Sequence, residues 1–151
     1  MNRVEVNSEN IPAPDWAEAA ATFVTAVCDT LKCENWDTSV LFCSDKFMQE
    51  LNRRFRNKDE TTDILSFSIG ETTNEDGIER YTSGDIAISL ETLKTNSRIF
   101  NVDEDEELRR LLIHGILHLK GMDHVSNAPE EEMLLLQEKL LSEIKYRIID
   151  R

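Results

Sequence analysis

Basic residues are scarce in this chain: 17 lysines and arginines stand against 30 aspartates and glutamates, a net charge of −13 over 151 residues. A general electrostatic grip on nucleic acid rests on a basic surface. That mode is excluded, and any contact with nucleic acid has to come from a local basic groove. Long apolar runs are also missing, and nothing approaches the roughly 20 residues of a membrane span. Cysteine is sparse and odd in number. Cys28, Cys33 and Cys43 form no CxxC pair, which excludes a disulfide framework and reads as reduced thiols in a reducing compartment. The opening Met-Asn-Arg-Val-Glu-Val, followed by acids and a proline, lacks the apolar h-region of a secretory signal, so a cytoplasmic location is expected. There is no repeat, low-complexity tract or linker. A 40% hydrophobic fraction over this length predicts one domain, 1–151, with a sizeable core.

Histidine is scarce as well, but its placement is informative. All three histidines lie in His114-Gly-Ile-Leu-His118-Leu-Lys-Gly-Met-Asp-His124, spaced His-x3-His-x5-His. Residues four apart share a helix face, about 6 Å apart along the axis, so His114 and His118 can point at one metal ion. Gly121 offers a helix stop in the left-handed conformation, and a reversing chain could return His124 as a third ligand. Three histidines plus an open position is the arrangement of a catalytic zinc site.

The remaining elements fall in the order β-α-β-α-β-β-α-α-α. Residues 3–7 alternate as a short strand, and Pro12 and Pro14 break the chain. Asp15 to about Leu31 carries a stripe from Ala17 to Leu31 and reads as a helix with Trp16 packing at its start. Residues 38–43 form a second strand. Ser44 caps a helix over about 45–55, whose C-terminal end holds Arg53, Arg54, Arg56 and Lys58. Cations there complement the helix dipole; they are also the densest basic cluster in an acidic chain, and anion binding stands beside the dipole reading. After the polar connection 59–63, residues 64–69 and 84–89 read as antiparallel strands. Gly70 to Ser83, largely polar with Gly77 near its middle, reads as a long hairpin loop between them. Leu90 to about Ile99 is helical. A helix from about 103 to 120, capped by Asn101 or Asp103, begins with five acids (103–107), read as dipole compensation and solvation. After Arg110 it is apolar on every side, the pattern of a buried helix. Pro129 and Glu130–Glu132 suit the first turn of a last helix. The expected architecture is a mixed four-stranded sheet packed with about five helices, the metal-binding helix at its centre.

A zinc ion lowers the pKa of bound water to about 7 and polarises a carbonyl or phosphoryl oxygen, so hydrolysis is the natural class. The His-Glu-x-x-His peptidases carry their general base directly after the first histidine; here that position is Gly115, which counts against proteolysis. Asp123 could orient a water or an imidazole, or simply serve the turn. Phosphodiester chemistry needs a cation for the developing charge, and Arg56 is the candidate, since arginine suits bidentate phosphate contact. A different metallohydrolase, or a non-catalytic assembly factor with a structural metal, are the competing readings of the same residues.

The motif closely resembles the H-G-x-L-H-L-x-G-Y-D-H signature of the YbeY-type endoribonucleases, also called rRNA maturation factors. Phe55-Arg56-Asn57-Lys58-Asp59 is similar to that family's Y-R-x-K-D segment, Thr62-Asp63-Ile64-Leu65-Ser66-Phe67 to its T-D-V-L-S-F strand, and Gly84-Asp85-Ile86-Ala87-Ile88 to its G-D-I-x-I strand. Met122 replaces the usual tyrosine and Thr61 a common proline. The resemblance implies an α+β fold, distantly like metallopeptidases around the metal helix. It implies a single-strand-specific, metal-dependent endoribonuclease acting in 16S rRNA 3′-end maturation and ribosome quality control. One zinc would be held by His114, His118 and His124, with Arg56 as the functional arginine. The partners so implied are the single-stranded 16S rRNA precursor and the ribosomal small subunit or its associated proteins, with no membrane and no nucleotide cofactor.

Overall fold

The computed structural model describes residues 1–123, 126, 128 and 131–149. Nine elements follow in the expected order: β1 (Arg3–Glu9), α1 (Ala17–Thr30), β2 (Trp36–Cys43), α2 (Asp45–Arg56), β3 (Ile64–Glu75), β4 (Ile78–Ser89), α3 (Leu90–Ile99), α4 (Glu104–Leu119) and α5 (Glu132–Glu143). The strands form one mixed sheet in the order β1-β2-β4-β3. β1, β2 and β4 run parallel, and β3 lies antiparallel to β4 on the outer edge. The α+β architecture with a mixed four-stranded sheet and five helices is therefore as expected. No described helix is long and apolar enough to cross a membrane.

Side-chain alternation along the strands divides the interior into two unequal layers. Val40 and Phe42 of β2 and Ile86 and Ile88 of β4 face the main core, where they meet Phe23, Val24 and Val27 of α1 and Leu112, Ile113, Ile116 and Leu117 of α4. Leu41, Cys43, Leu65 and Ala87 point to the opposite face, which α2 covers with Phe47, Met48 and Leu51. α4 sits centrally, touching α1, α3, α5, β3 and β4. Trp16 packs edge-on against Phe42 with ring centroids 5.1 Å apart. Ser44 caps α2, its hydroxyl accepting from the Phe47 amide at 3.2 Å. All three cysteines are free thiols in the interior.

Three expectations need correction. Residues 70–83 are not a loop: β3 runs on to Glu75, β4 begins at Ile78, and only Asp76–Gly77 turns the chain. Both turn residues have positive φ, +52° and +85°, as a tight two-residue hairpin requires, and the Asn74 side-chain oxygen accepts from the Gly77 amide at 2.9 Å. This half of the hairpin is exposed on both sides along β3, so it lacks the apolar alternation that marks a half-buried strand.

The acidic run at the start of α4 is also not merely solvated. Asp105 is 1% exposed and Glu107 6%. Asp105 accepts from the amides of Ile148 (2.6 Å) and Ile149 (2.8 Å) and from Arg109 Nε (2.8 Å), tying the chain beyond α5 back to α4. Burial alone would raise its pKa, but the Ile149, Ile148 and Arg109 donors outweigh it and hold the carboxyl below its ordinary value. The expected caps change as well. Asp103 is the residue preceding α4, but its side chain does not cap the helix; it accepts from Arg147 at 3.3 Å. The described part of the last helix begins at Glu132, and Pro129 and Glu130, assigned to its first turn, lie outside the described residues.

Candidate metal centre and substrate groove

The two described histidines of the motif sit on the last two turns of α4. The helix stops there for a local reason. Gly121 has φ +91°, its amide donates to the His118 carbonyl (2.9 Å), and the Met122 amide reaches back to the Leu117 carbonyl (3.0 Å). This pair of bonds is the Schellman stop, which needs a left-handed residue at Gly121. The reversal has a chemical result, because it brings the Met122 carbonyl to His118 Nδ1 at 3.1 Å. A carbonyl only accepts, so the proton on His118 is at Nδ1 and its Nε2 carries the lone pair.

His114 is fixed in the same way from a different element. Its Nδ1 lies 2.7 Å from Gln137 Oε1 on α5. Gln137 Nε2 donates to Glu138 Oε2 at 3.1 Å, which sets the amide with its oxygen toward the histidine. His114 is therefore also the Nδ1–H tautomer. The two Nε2 atoms face one another at 3.0 Å, with the rings at 78° to each other.

Two lone pairs at that distance repel unless a cation lies between them. A tetrahedral zinc with nitrogen ligands about 2.0–2.1 Å away would separate two such nitrogens by roughly 3.3 Å. The donor set thus fits a zinc ion: both imidazoles present Nε2 to one point, and both have Nδ1 held by an oxygen acceptor, the usual support of metal-bound histidine. His124, the third expected ligand, lies outside the described residues. Among the described residues no group of three or more His, Cys, Asp or Glu converges, and the candidate ligands described are His114 and His118.

Gly115, between them, is buried against β4. A Cβ there would lie 2.8 Å from Ile86 Cδ1 and 3.0 Å from both Cγ1 and Cγ2. The side where a peptidase would carry its glutamate base is filled by the sheet.

The histidines open onto a groove of about 420 Å³ that runs along the edge strand β3. It is lined by Ser66 and Ser68 of β3, by His114 and His118, by Asp123 past the helix stop, and by Arg56. Arg56 comes from the end of α2, on the other face of the sheet, and reaches round the edge. Its Nη2 donates to the Ser66 carbonyl at 2.7 Å, and its guanidinium stacks over Phe67, 4.8 Å from the ring centroid. Its neighbours in the basic cluster behave differently. Arg53 pairs with Glu50 on the same helix, and Arg54 lies over the Phe55 ring. The dipole reading suits those two, whereas Arg56 alone enters the groove. Gln137 is the site residue the sequence reading missed. Its signal was a single uncharged polar side chain on the buried stripe of α5, between Met133 and Leu140–Leu141.

A family model described as Endoribonuclease YbeY matches residues 3–145. A protein of Treponema denticola described as Endoribonuclease YbeY is 52% identical over 124 residues, 82% of this chain and 80% of that one. One of Treponema pallidum (strain Nichols), with the same description, is 45% identical over 144 residues, 95% and 90% of the two chains. The solution structure of TM1509 from Thermotoga maritima superposes with a TM-score of 0.67 at 27% identity, covering 93% of this chain and 88% of that one.

Proposed function

The chain belongs to the YbeY endoribonuclease family, and we propose that its activity is zinc-dependent cleavage of single-stranded RNA in 16S rRNA 3′-end maturation and ribosome quality control. The observation that carries the zinc reading is the paired Nε2 geometry of His114 and His118, 3.0 Å apart with both Nδ1 protons committed to oxygen acceptors. His124 is the third ligand of this proposal. Zinc, when bound, supplies a Lewis acid for a phosphoryl oxygen and activates water near neutral pH.

The chain's own groups do the rest. Arg56 has two N–H groups engaged with the Ser66 and Phe55 carbonyls and is stacked on Phe67, so its guanidinium is oriented before substrate arrives. Its other donors face the groove and bind phosphate oxygens, stabilising charge that grows in the transition state. The Met122 and Gln137 oxygens hold the imidazole protons at Nδ1 and keep both rings aimed at one point. Asp123, on the groove wall, orients the attacking water or accepts its proton.

An edge strand beside a metal helix is also where an extended peptide could add to a sheet, which is the peptidase alternative. Two observations oppose it: Arg56 already occupies the Ser66 carbonyl of the edge strand, and the base position is Gly115, closed off by Ile86.

The test is metal analysis together with cleavage of single-stranded rRNA. Wild type is expected to carry about one zinc and to cut. His114→Ala is expected to lose both metal and cleavage. Arg56→Glu is expected to keep the metal and lose cleavage. A His114→Ala protein that cuts at the wild-type rate overturns the metal mechanism. Zinc retained with no exchangeable water and no cleavage by wild type would favour a structural metal in an assembly factor.

A further inference from the structure

Gln137 is not one of the family-motif residues, yet the structure gives it a defined task. It lies one turn into the buried stripe of α5, 7% exposed, and its Oε1 is 2.7 Å from His114 Nδ1. Its amide orientation is not left to chance. Nε2 donates to Glu138 Oε2 at 3.1 Å. The Glu138 carboxylate is in turn gripped at both oxygens by Arg110, Nε to Oε2 at 3.0 Å and Nη2 to Oε1 at 3.2 Å. Arg110 stands one helical turn before His114 on α4 and is itself held by Glu106 (3.2 Å) and Glu107 (3.3 Å). The result is a double clasp between two helices: Arg110 holds Glu138, and Gln137, beside Glu138, holds His114.

We propose that Gln137 is a positioning residue for the zinc site, an amide that fixes the tautomer and ring orientation of His114 so that its Nε2 lone pair faces that of His118. The reasoning is steric and chemical. α4 alone would present His114 in several rotamers and in either tautomer. An acceptor supplied from α5 selects the one in which Nδ1 carries the proton. The acceptor is an amide rather than a carboxylate, so it orients the ring without adding charge to a centre already inside an acidic chain. The Arg110–Glu138 clasp denies the amide its flipped state, in which an N–H would face the histidine and displace the proton to Nε2. The docking of α5 on α4 thereby becomes a condition for metal affinity, although α5 supplies no ligand in the proposed set. This inference rests on the zinc reading of the preceding subsection.

The experiment is zinc affinity of the full chain, measured by competition with a chromophoric chelator, alongside thermal unfolding of the metal-free protein. Gln137→Met keeps volume and burial but removes the acceptor, and is expected to weaken zinc binding by about 10–100-fold, the usual effect of losing such a support. Gln137→Glu keeps an acceptor for His114 Nδ1 but sets its second carboxylate oxygen against Glu138 in place of the amide N–H, and is expected to bind zinc at least about threefold more tightly than Gln137→Met, since a carboxylate acceptor supports ligand basicity. The metal-free midpoints of the two variants are expected to lie within a few degrees of each other, which a merely structural role would not combine with a large affinity split. Should Gln137→Met fail to fold, Gln137→Asn, which retracts the oxygen by one methylene, is expected to show the same loss. Zinc affinity of Gln137→Met, or of Gln137→Asn where it replaces it, within threefold of wild type overturns the assignment. Failure of the wild-type protein itself to bind zinc overturns instead the reading on which it rests.

Discussion

Gly115 is a position where α4 packs tightly on the sheet, and Gly115→Ala measures that pressure. Helix propensity alone favours the change by about 1 kcal/mol, because alanine replaces glycine in a helix interior. Packing opposes it. The new Cβ would sit 2.8 Å from Ile86 Cδ1 and 3.0 Å from Cγ1 and Cγ2, against the 3.5–4.0 Å at which carbon atoms normally meet. Ile86 is fully buried on β4, which is flanked by strands on both sides, and its branched side chain has few rotamers to escape into. Overpacking of this kind costs about 1–3 kcal/mol. The net expectation is destabilisation by about 1 kcal/mol, within a range of roughly 0–2. Urea unfolding of wild type, Gly115→Ala, Ile86→Val and the double variant is the assay. Ile86→Val removes the nearest of the three contacting carbons and costs about 0.5–1.5 kcal/mol alone; made on top of Gly115→Ala it is expected to cost less, a coupling of at least about 0.5 kcal/mol. A Gly115→Ala protein more stable than wild type by the full propensity gain refutes the argument. Gly115→Glu, the substitution that would restore a peptidase base, places an unpaired charge against Ile86 and is expected to cost more than about 4 kcal/mol and yield no folded enzyme.

Two other outcomes follow from buried groups away from the groove. Asp105 has its pKa held below the ordinary value, so its contribution to stability is present above the unfolded pKa of about 3.9 and is lost as pH falls through the lower folded value. Asp105→Asn is expected to destabilise by about 2–4 kcal/mol at pH 7, because Arg109 and two tail amides lose a charged acceptor. The gap to wild type should narrow as pH drops below about 4, and a gap independent of pH would show that the carboxylate charge plays no part. The Cys43 thiol is pushed up to about 12 by burial, with Asp45 and Glu91 adding to the shift. Thiolate is the reactive form, so iodoacetamide at pH 8 is expected to leave Cys43 unmodified in the native protein and to alkylate it after denaturation, as read by peptide mass spectrometry.

Where a segment is half-buried, its period reports its structure, and here that covered most of the chain. α1 and α2 each bury a stripe, α4 is apolar all round past Arg110, β2 and the inner half of β4 alternate, and their boundaries in the structure differ from the expected ones by a few residues at most. The hairpin arm was illegible for the converse reason. Residues 70–75 of β3 are exposed at every position, so nothing in the side-chain pattern distinguishes them from loop. Only Asp76-Gly77 carried the signal, and its meaning depends on strands that had not been recognised. Asp105 was misread because charge is a proxy for exposure that fails when the partners come from far away in sequence, in this case the amides of Ile148 and Ile149.

The site divides along the same line. His114 and His118 are close in sequence and their spacing alone put them on one face. The distance from Arg56 to the histidines could not be read that way, because α2 and α4 cover opposite faces of the sheet. What joins them is topology. The β3–β4 hairpin places β4 inside, beside β2, and leaves β3 as the edge. Because α2 leads directly into that edge strand, its last turn comes to the rim rather than the middle of the sheet. A guanidinium there can bond Ser66, stack on Phe67 and still face the groove on the far side. The edge position also bears on charge. A net −13 repels a polyanion at long range, but at physiological salt that repulsion fades over about 8 Å. A single oriented arginine then acts only on a phosphate already delivered to the groove. Under the proposed function, recognition is therefore local and not spread over a basic surface, and the rim where Arg56 and the two histidines line one groove is its proposed place.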